Sequence, residues 1–260
     1  MDGCSRFSDE FIKWCDSNAL ILNVEKTECI YFNQRRNNKL KLSFSLRESL
    51  VSSKNQAKFL GIIVDHELRW SDHIDHVIKK LNSAFYVIYK IKSTVPAYTI
   101  LQVYYSLVYS CLSYGIILWG NSVDHRRIFV AQKRIIRLMF DLKPRDSCKP
   151  VFMAHRILTL SSIYLYKCLV YVKENQTKFP CLTESHNYDT RNSNVLFVPE
   201  HDTARYEKSP SYQCIKLFNH LPNEIKNLRG VRFKKIVKEV LLKKAYYNVG
   251  EYLLDSNIVK

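Results

Sequence analysis

The spacing of apolar positions changes character once along the chain. In residues 7–18, Phe7, Phe11, Trp14 and Cys15 recur at helical spacing. Ser8 is a candidate N-cap there, with Asp9 and Glu10 in the first turn. Residues 28–64 then read as short β-branched or alternating stretches (ECIYF, KLSFSL, SLVSS, KFLGIIV) split by polar clusters such as NQRRNNK. That pattern predicts three or four strands in hairpins. From Ser71 the period is helical again. Ser71 and Asp72 open a helix to about residue 91, with Ile74, Val77, Ile78, Leu81, Phe85 and Ile88 on one face. Pro96 suits the first turn of a helix running to about residue 118, and Gly120-Asn121 ends it. Further helices are expected over about 123–140 and 154–174. Residues 175–210, rich in Asn, Thr, Ser, His and Pro, lose the period and read as an irregular arm. Short helices follow at about 211–219 and 222–228, and a basic helix at 231–247.

Composition supports that picture. Six glycines and seven prolines in 260 residues are about 5%, against about 12% in an average chain. So few turn-formers argue for long helices, and against both a many-stranded sandwich and a glycine-dependent nucleotide fold. The expected class is α+β, mainly α. A small antiparallel hairpin region (1–65) precedes a helical bundle (66–174), then an irregular arm with short C-terminal helices (175–260).

Charge narrows the partner class. Forty basic against 24 acidic residues give a net +16. Residues 126–156 carry nine basic and two acidic residues, and residues 205–244 carry eleven and three. Such concentrated positive charge seeks polyanions. Within 123–140, Arg126, Arg127, Lys133, Arg134 and Arg137 fall on one helical arc, opposite Ile128, Ala131, Ile135, Leu138 and Met139. That arc contains no acidic residue. In the C-terminal helix Arg232, Lys234, Lys235, Lys238, Lys243 and Lys244 flank Phe233, Ile236, Val237, Val240 and Leu241. Cations spaced along a helix track phosphates and release counterions, which gives sequence-independent affinity.

Catalytic signatures are absent. The chain has no G-x-G-x-x-G, P-loop, G-x-S-x-G or H-E-x-x-H. His73 and His76 share a helical turn with Asp72 and Asp75, but those acids suit the helix dipole and no further ligand is evident. Eight dispersed cysteines without a C-x-x-C pair or a signal peptide predict reduced thiols and a cytoplasmic or nuclear location. Residues 98–123 carry no charge and are long enough to span a bilayer, but Gln102, Ser106, Ser110, Ser113 and the tyrosines fit a buried bundle helix better.

Four stretches, in order, resemble the reverse transcriptases of non-LTR (LINE-type, jockey-like) retrotransposons. They are Trp14…Leu20-x-Leu22-Asn23-x-x-Lys26-Thr27…Tyr31-Phe32; Lys58-Phe59-Leu60-Gly61-Ile62…Leu68-x-Trp70-x-x-His73-Ile74; Leu112-x-Tyr114-Gly115…Trp119; and His186-x-Tyr188-x-Thr190-Arg191…Ser211-Tyr212…Phe218-Asn219-x-Leu221-Pro222-x-x-Ile225-Lys226…Phe233-Lys234. The resemblance implies a palm edge with a primer-grip hairpin (1–65), a thumb (66–174) and a post-thumb region. It implies that Lys26 matches a lysine that follows the catalytic aspartates, and that Phe59, Leu60 and Gly61 match the hairpin holding the primer end. Trp70 and His73 match the thumb entry, where packing and capping roles are expected.

The family's polymerase chemistry needs paired aspartates to hold metal ions. This sequence has no Y-x-D-D and no other Asp-Asp pair. The expectation is therefore a non-catalytic fragment that holds no cofactor, Mg²⁺ belonging to an upstream palm. Its partner would be RNA or an RNA–DNA hybrid, bound without sequence specificity. The expected binding residues are Lys26, Phe59, Leu60, Gly61, Arg126, Arg127, Lys133, Arg134, Arg137, Lys234, Lys235 and Lys238. Two alternatives stand beside it. One is part of an active polymerase that supplies the aspartates upstream of Met1. The other is an adapted protein-interaction or membrane-associated module that uses the uncharged 98–123 helix.

Overall fold

The structure, a computed structural model, describes residues 2–32, 43–47, 49–181, 195–201 and 203–258. The chain is α+β and mainly α, as its patterning predicts. It divides into two compact units, Met1–His73 and Ile74–Lys260. The polar cluster at 33–39 and the His186–Arg191 stretch lie outside the described residues.

The first unit opens with α1 (Asp2–Ser17). This helix begins earlier than the sequence suggests. Ser8 is not its cap but a buried position inside it, facing the Ser45 carbonyl. A single turn of 3₁₀ helix, Val24–Lys26, follows, with the Asn23 side chain accepting from the Lys26 N–H. Five short strands come next: β1 (Cys29–Ile30), β2 (Ser43–Leu46), β3 (Ser49–Lys54), β4 (Gln56–Phe59) and β5 (Ile62–Asp65). They form two sheets, not one run of hairpins. β2 and β4 pair antiparallel with their successors, but β1 lies parallel to β3, Cys29 opposite Ser53. α1 packs on β2. Among the described residues of this unit, Cys15, Leu46 and Val51 are the buried apolar ones.

The β4–β5 turn is Leu60-Gly61, with φ of 47° and 83°. Two successive positive φ values mark the tight hairpin connection whose twist matches its strands. After β5, the Asp65 carboxylate accepts from the backbone N–H groups of Glu67, Arg69 and Trp70, at 2.8–3.0 Å. That fan of bonds shapes the entry to α2 (Ser71–Ile91). His73 is buried at its start and accepts from the Ile63 N–H through Nδ1, with the Trp70 ring edge-on to it. Trp70 and His73 thus pack and brace the turn.

The second unit is helical. Its centre is α8 (Leu160–Glu174), which buries residues around most of its circumference, among them Ile163, Tyr164, Leu165, Cys168, Leu169 and Val172. A helix apolar all round belongs inside a bundle. The stretch expected to be a single helix from Pro96 to about residue 118 is broken. The uncharged stretch forms α3 (Ala97–Val103), a π-helical segment (Tyr104–Tyr109), α4 (Ser110–Ser113) and α5 (Ile116–Trp119). Its buried positions Ile100, Tyr104, Val108, Leu112 and Ile116 recur every four residues. A 3.6-residue helix drifts against that spacing, and the wider i→i+5 turn absorbs the drift. Gly115, at φ 60°, then breaks the helix, and the Trp119 indole N–H takes up the Tyr114 carbonyl at 3.0 Å. Among the described residues no helix is long and apolar enough to cross a membrane.

The helix expected over about 154–174 begins later, at Leu160, and a separate short helix that was not expected, α7 (Lys149–Ala154), precedes it. Thr159 is the reason: its hydroxyl caps α8 at Ser162 N and also bonds the distant Tyr246 carbonyl. α6 (His125–Met139) lies between α5 and α7 in the chain. The C-terminal part carries α9 (Ala204–Glu207), α10 (Pro210–Asn219), α11 (Asn223–Lys226), α12 (Gly230–Lys244) and α13 (Val249–Leu254). α10 and α12 both pack on α8.

Candidate nucleic-acid interface

α6 is amphipathic, and the structure sets its inner face. Ile128, Phe129, Gln132, Ile135, Ile136 and Met139 are buried. Gln132 was not expected there, because a glutamine within an apolar arc gives no sequence signal of burial. It is fully buried, and its amide satisfies three groups. Nε2 donates to the Tyr104 hydroxyl and the Leu158 carbonyl, each at 2.9 Å, and Oε1 accepts from Leu160 N at 2.8 Å. A buried polar group that meets every partner fixes rather than weakens a core. It fixes the rotation of α6 and therefore the direction of its cations.

Four of the five outer cations have protein partners. Arg127 pairs with Asp75 of α2 at 2.7 Å, so another helix supplies the acid that the α6 arc lacks. The Arg134 guanidinium lies 4.2 Å from the Phe85 ring centroid. Lys133 Nζ sits over the Phe129 and Tyr247 rings at 4.7 and 5.5 Å. Arg137 donates to the Asp146 carbonyl. Arg126 is exposed and forms no ion pair or hydrogen bond among the described residues. A cation over a ring keeps its charge and outer donors. The contacts therefore orient Lys133 and Arg134 without neutralising them, whereas Arg127 is part-neutralised. Tyr247 contributes a wall that α6 alone does not show: its ring meets Phe129 edge-on at 4.9 Å and lies 5.8 Å from Lys149 Nζ.

On α12, Phe233, Val237, Leu241 and Leu242 are buried. Lys235 and Lys238 are exposed and unpaired among the described residues, while Lys234 forms an ion pair with Glu174 at 2.5 Å. That carboxylate raises the Lys234 ammonium above its ordinary range. Arg156 binds Glu239 at 2.5 Å, which holds the Glu239 carboxyl below its usual range.

In the first unit, Lys26 is exposed at the end of the 3₁₀ turn. Phe59 and Leu60 are 69% and 73% exposed at the hairpin tip, so they are a presented apolar edge and not core. Gly61 completes that tip. The first-unit residues and the α6 and α12 cations thus belong to separate compact units.

Nucleophile and metal chemistry gain no support from the geometry. Burial pushes the Cys111, Cys148 and Cys168 thiols up, which disfavours the reactive thiolate. Among the described residues no three His, Cys, Asp or Glu side chains gather as metal ligands.

Over 143 residues the chain is 24% identical to a probable RNA-directed DNA polymerase from transposon X-element of Drosophila melanogaster. The match covers 53% of this chain and 16% of that protein. The similarity supports a reverse-transcriptase-related chain. No family model matches it, and no solved structure matches it. The chain spans about one sixth of that relative's length.

Proposed function

We propose that the chain is a non-catalytic part of a LINE-type, jockey-like retrotransposon polymerase, and that it binds template–primer nucleic acid through backbone phosphates. The similarity to a transposon polymerase carries this reading. Arg126, Arg134, Lys235 and Lys238 on α6 and α12 are outward cations suited to phosphates, and Lys133 and Arg137 flank them. The exposed hairpin tip at Phe59, Leu60 and Gly61 has the low backbone bulk needed to approach a strand closely. Lys26 adds a cation to the same unit. Without a paired-aspartate motif the chain has no means of its own to hold two catalytic metal ions; Mg²⁺ belongs to an upstream palm. Filter binding of an RNA–DNA hybrid across a salt series tests this. Retention should fall steeply with salt and be indifferent to sequence; no retention at low ionic strength overturns it.

A second reading is favoured by one observation. Along α1, the rings of Phe7, Phe11 and Trp14 stack in a row 6.3 and 6.2 Å apart and stay exposed, with Ile21 94% exposed beyond them. Such a row is a docking face for more polypeptide. It fits a chain that completes an active reverse transcriptase whose remaining part covers α1. Primer extension with Mg²⁺ separates the two readings: the chain alone should give none, and co-expression with an aspartate-bearing palm should restore it if the second holds.

A further inference from the structure

The second unit contains a cleft of about 640 Å³ between α8, the α10–α11 region and the start of α12. Its walls include Lys173, Glu174, Lys226, Arg229, Phe233 and Lys234. Four cations meet one carboxylate, a net of 4 − 1 = +3. That carboxylate is already engaged by Lys234. We propose that this cleft binds a phosphate monoester carried on a small organic body.

The buried lysine is the strongest reason. Lys226 is only 7% exposed, yet among the described residues no carboxylate pairs with it. Its Nζ donates to the Asn219 carbonyl at 2.8 Å. Lys173 is held in the same way, its Nζ donating to the Lys226 carbonyl at 2.6 Å and lying 5.5 Å from the Phe233 ring centroid. Carbonyl dipoles position an ammonium but do not cancel its charge. A buried cation without a counter-ion is costly, and an anion in the cleft relieves that cost. Burial lowers both ammonium groups from their ordinary range, and Arg229 adds like-charge repulsion to Lys173. Arg229 and Lys173 line the same cleft. Arg229 itself forms no ion pair or hydrogen bond among the described residues.

The backbone supplies the rest. α12 starts at the cleft, and its N-cap, Arg229, provides no side-chain cap. The first N–H groups of a helix have no partner within it and point at a ligand there. Gly230 has φ 47°, and among the described residues no neighbouring atom lies within 4 Å of where a Cβ would sit, so they leave the approach open. A phosphate dianion offers three acceptor oxygens, enough for Arg229, a lysine and the helix N–H groups together. The volume exceeds a bare phosphate, and the exposed Val231 side chain gives an apolar wall for the attached body. Two sources share this chemistry, the phosphorylated end of a nucleic-acid strand and a free mononucleotide.

The inference goes beyond backbone binding, because it concerns an end group and not a strand. Calorimetry on the intact chain uses four probes: inorganic phosphate, adenosine monophosphate, and one short oligonucleotide with either a terminal phosphate or a terminal hydroxyl. Adenosine monophosphate or the phosphate-ended strand should bind saturably, more tightly than inorganic phosphate or the hydroxyl-ended strand. Binding of either one alone supports the site and identifies its source. Arg229→Ala, at an exposed position, should weaken binding about tenfold, the loss of one charged hydrogen bond. Lys173→Met should do the same, with thermal melting confirming its fold. No preference for the phosphate-bearing probes, or an unchanged affinity in Arg229→Ala, overturns the proposal. Retention of the RNA–DNA hybrid should survive Arg229→Ala, so failure of this site and failure of backbone binding are distinguishable.

Discussion

Arg127 and Asp75 stand 2.7 Å apart across α6 and α2, joining residues 52 positions apart in sequence. The pair removes one positive charge from the face proposed to meet phosphates. Both side chains are about half exposed, so the pair contributes under about 1 kcal/mol to stability. Asp75→Asn should therefore leave the urea midpoint nearly unchanged while freeing Arg127. Affinity for an RNA–DNA hybrid should rise, and the slope of log affinity against log salt should steepen by about one ion. An unchanged slope would mean that Arg127 does not meet the backbone.

The inner face of the same helix depends on Gln132. Gln132→Leu would strand Tyr104 Oη, the Leu158 carbonyl and Leu160 N, all buried around it. Each orphaned group costs about 1–3 kcal/mol. A loss of about 3 kcal/mol or more is expected in urea unfolding. Tyr104→Phe, which removes only one of those bonds, should cost about 1 kcal/mol. Equal costs for the two variants would show that the amide is not the hub.

How much of this was legible in the sequence differs by element. The α2 and α6 helices were readable because their apolar positions follow one period and their partners need not be known. The break at Tyr114-Gly115 was hidden because the uncharged stretch is apolar enough to pass for one helix, and only the four-residue spacing of Ile100, Tyr104, Val108, Leu112 and Ile116 hints at the π turn. The late start of α8, at Leu160 and not at about 154, was hidden because Thr159 is tied to Tyr246, a partner 87 positions away. The site followed the same rule. Helical arcs located the cations of α6 and α12, but Asp75, Phe85 and Tyr247, which decide how many remain free, come from elements that a helical wheel does not contain. The cleft cations Lys173 and Arg229 flank it from two helices and have no common spacing.

Gly120 closes α5 against α8. A Cβ there would lie 2.6 Å from both the Ile116 carbonyl oxygen and Tyr164 Cδ2. The carbonyl belongs to the backbone and Tyr164 is buried, so neither can yield easily. Gly120→Ala should destabilise the chain by about 1–3 kcal/mol despite the usual helical preference for alanine. A neutral result in chemical denaturation would require the α5–α8 contact to be looser than this.

Alkaline pH tests the tyrosine-rich core. Burial pushes the Tyr104, Tyr164, Tyr246 and Tyr252 phenols above their ordinary value near 10, and Asp255, hydrogen-bonded to Tyr246, pushes that one further. The unfolded phenols release protons first as pH rises, so unfolding is coupled to proton release. Stability from these groups is therefore complete below pH about 10 and is lost progressively above it. Unfolding in that range should be cooperative, with phenolate absorbance from the buried rings appearing together with loss of helical signal. Tyr104→Phe removes one such proton and should shift the alkaline midpoint upward relative to its stability at neutral pH. Phenolate absorbance that develops gradually while helical signal persists would show that the rings ionise inside the fold.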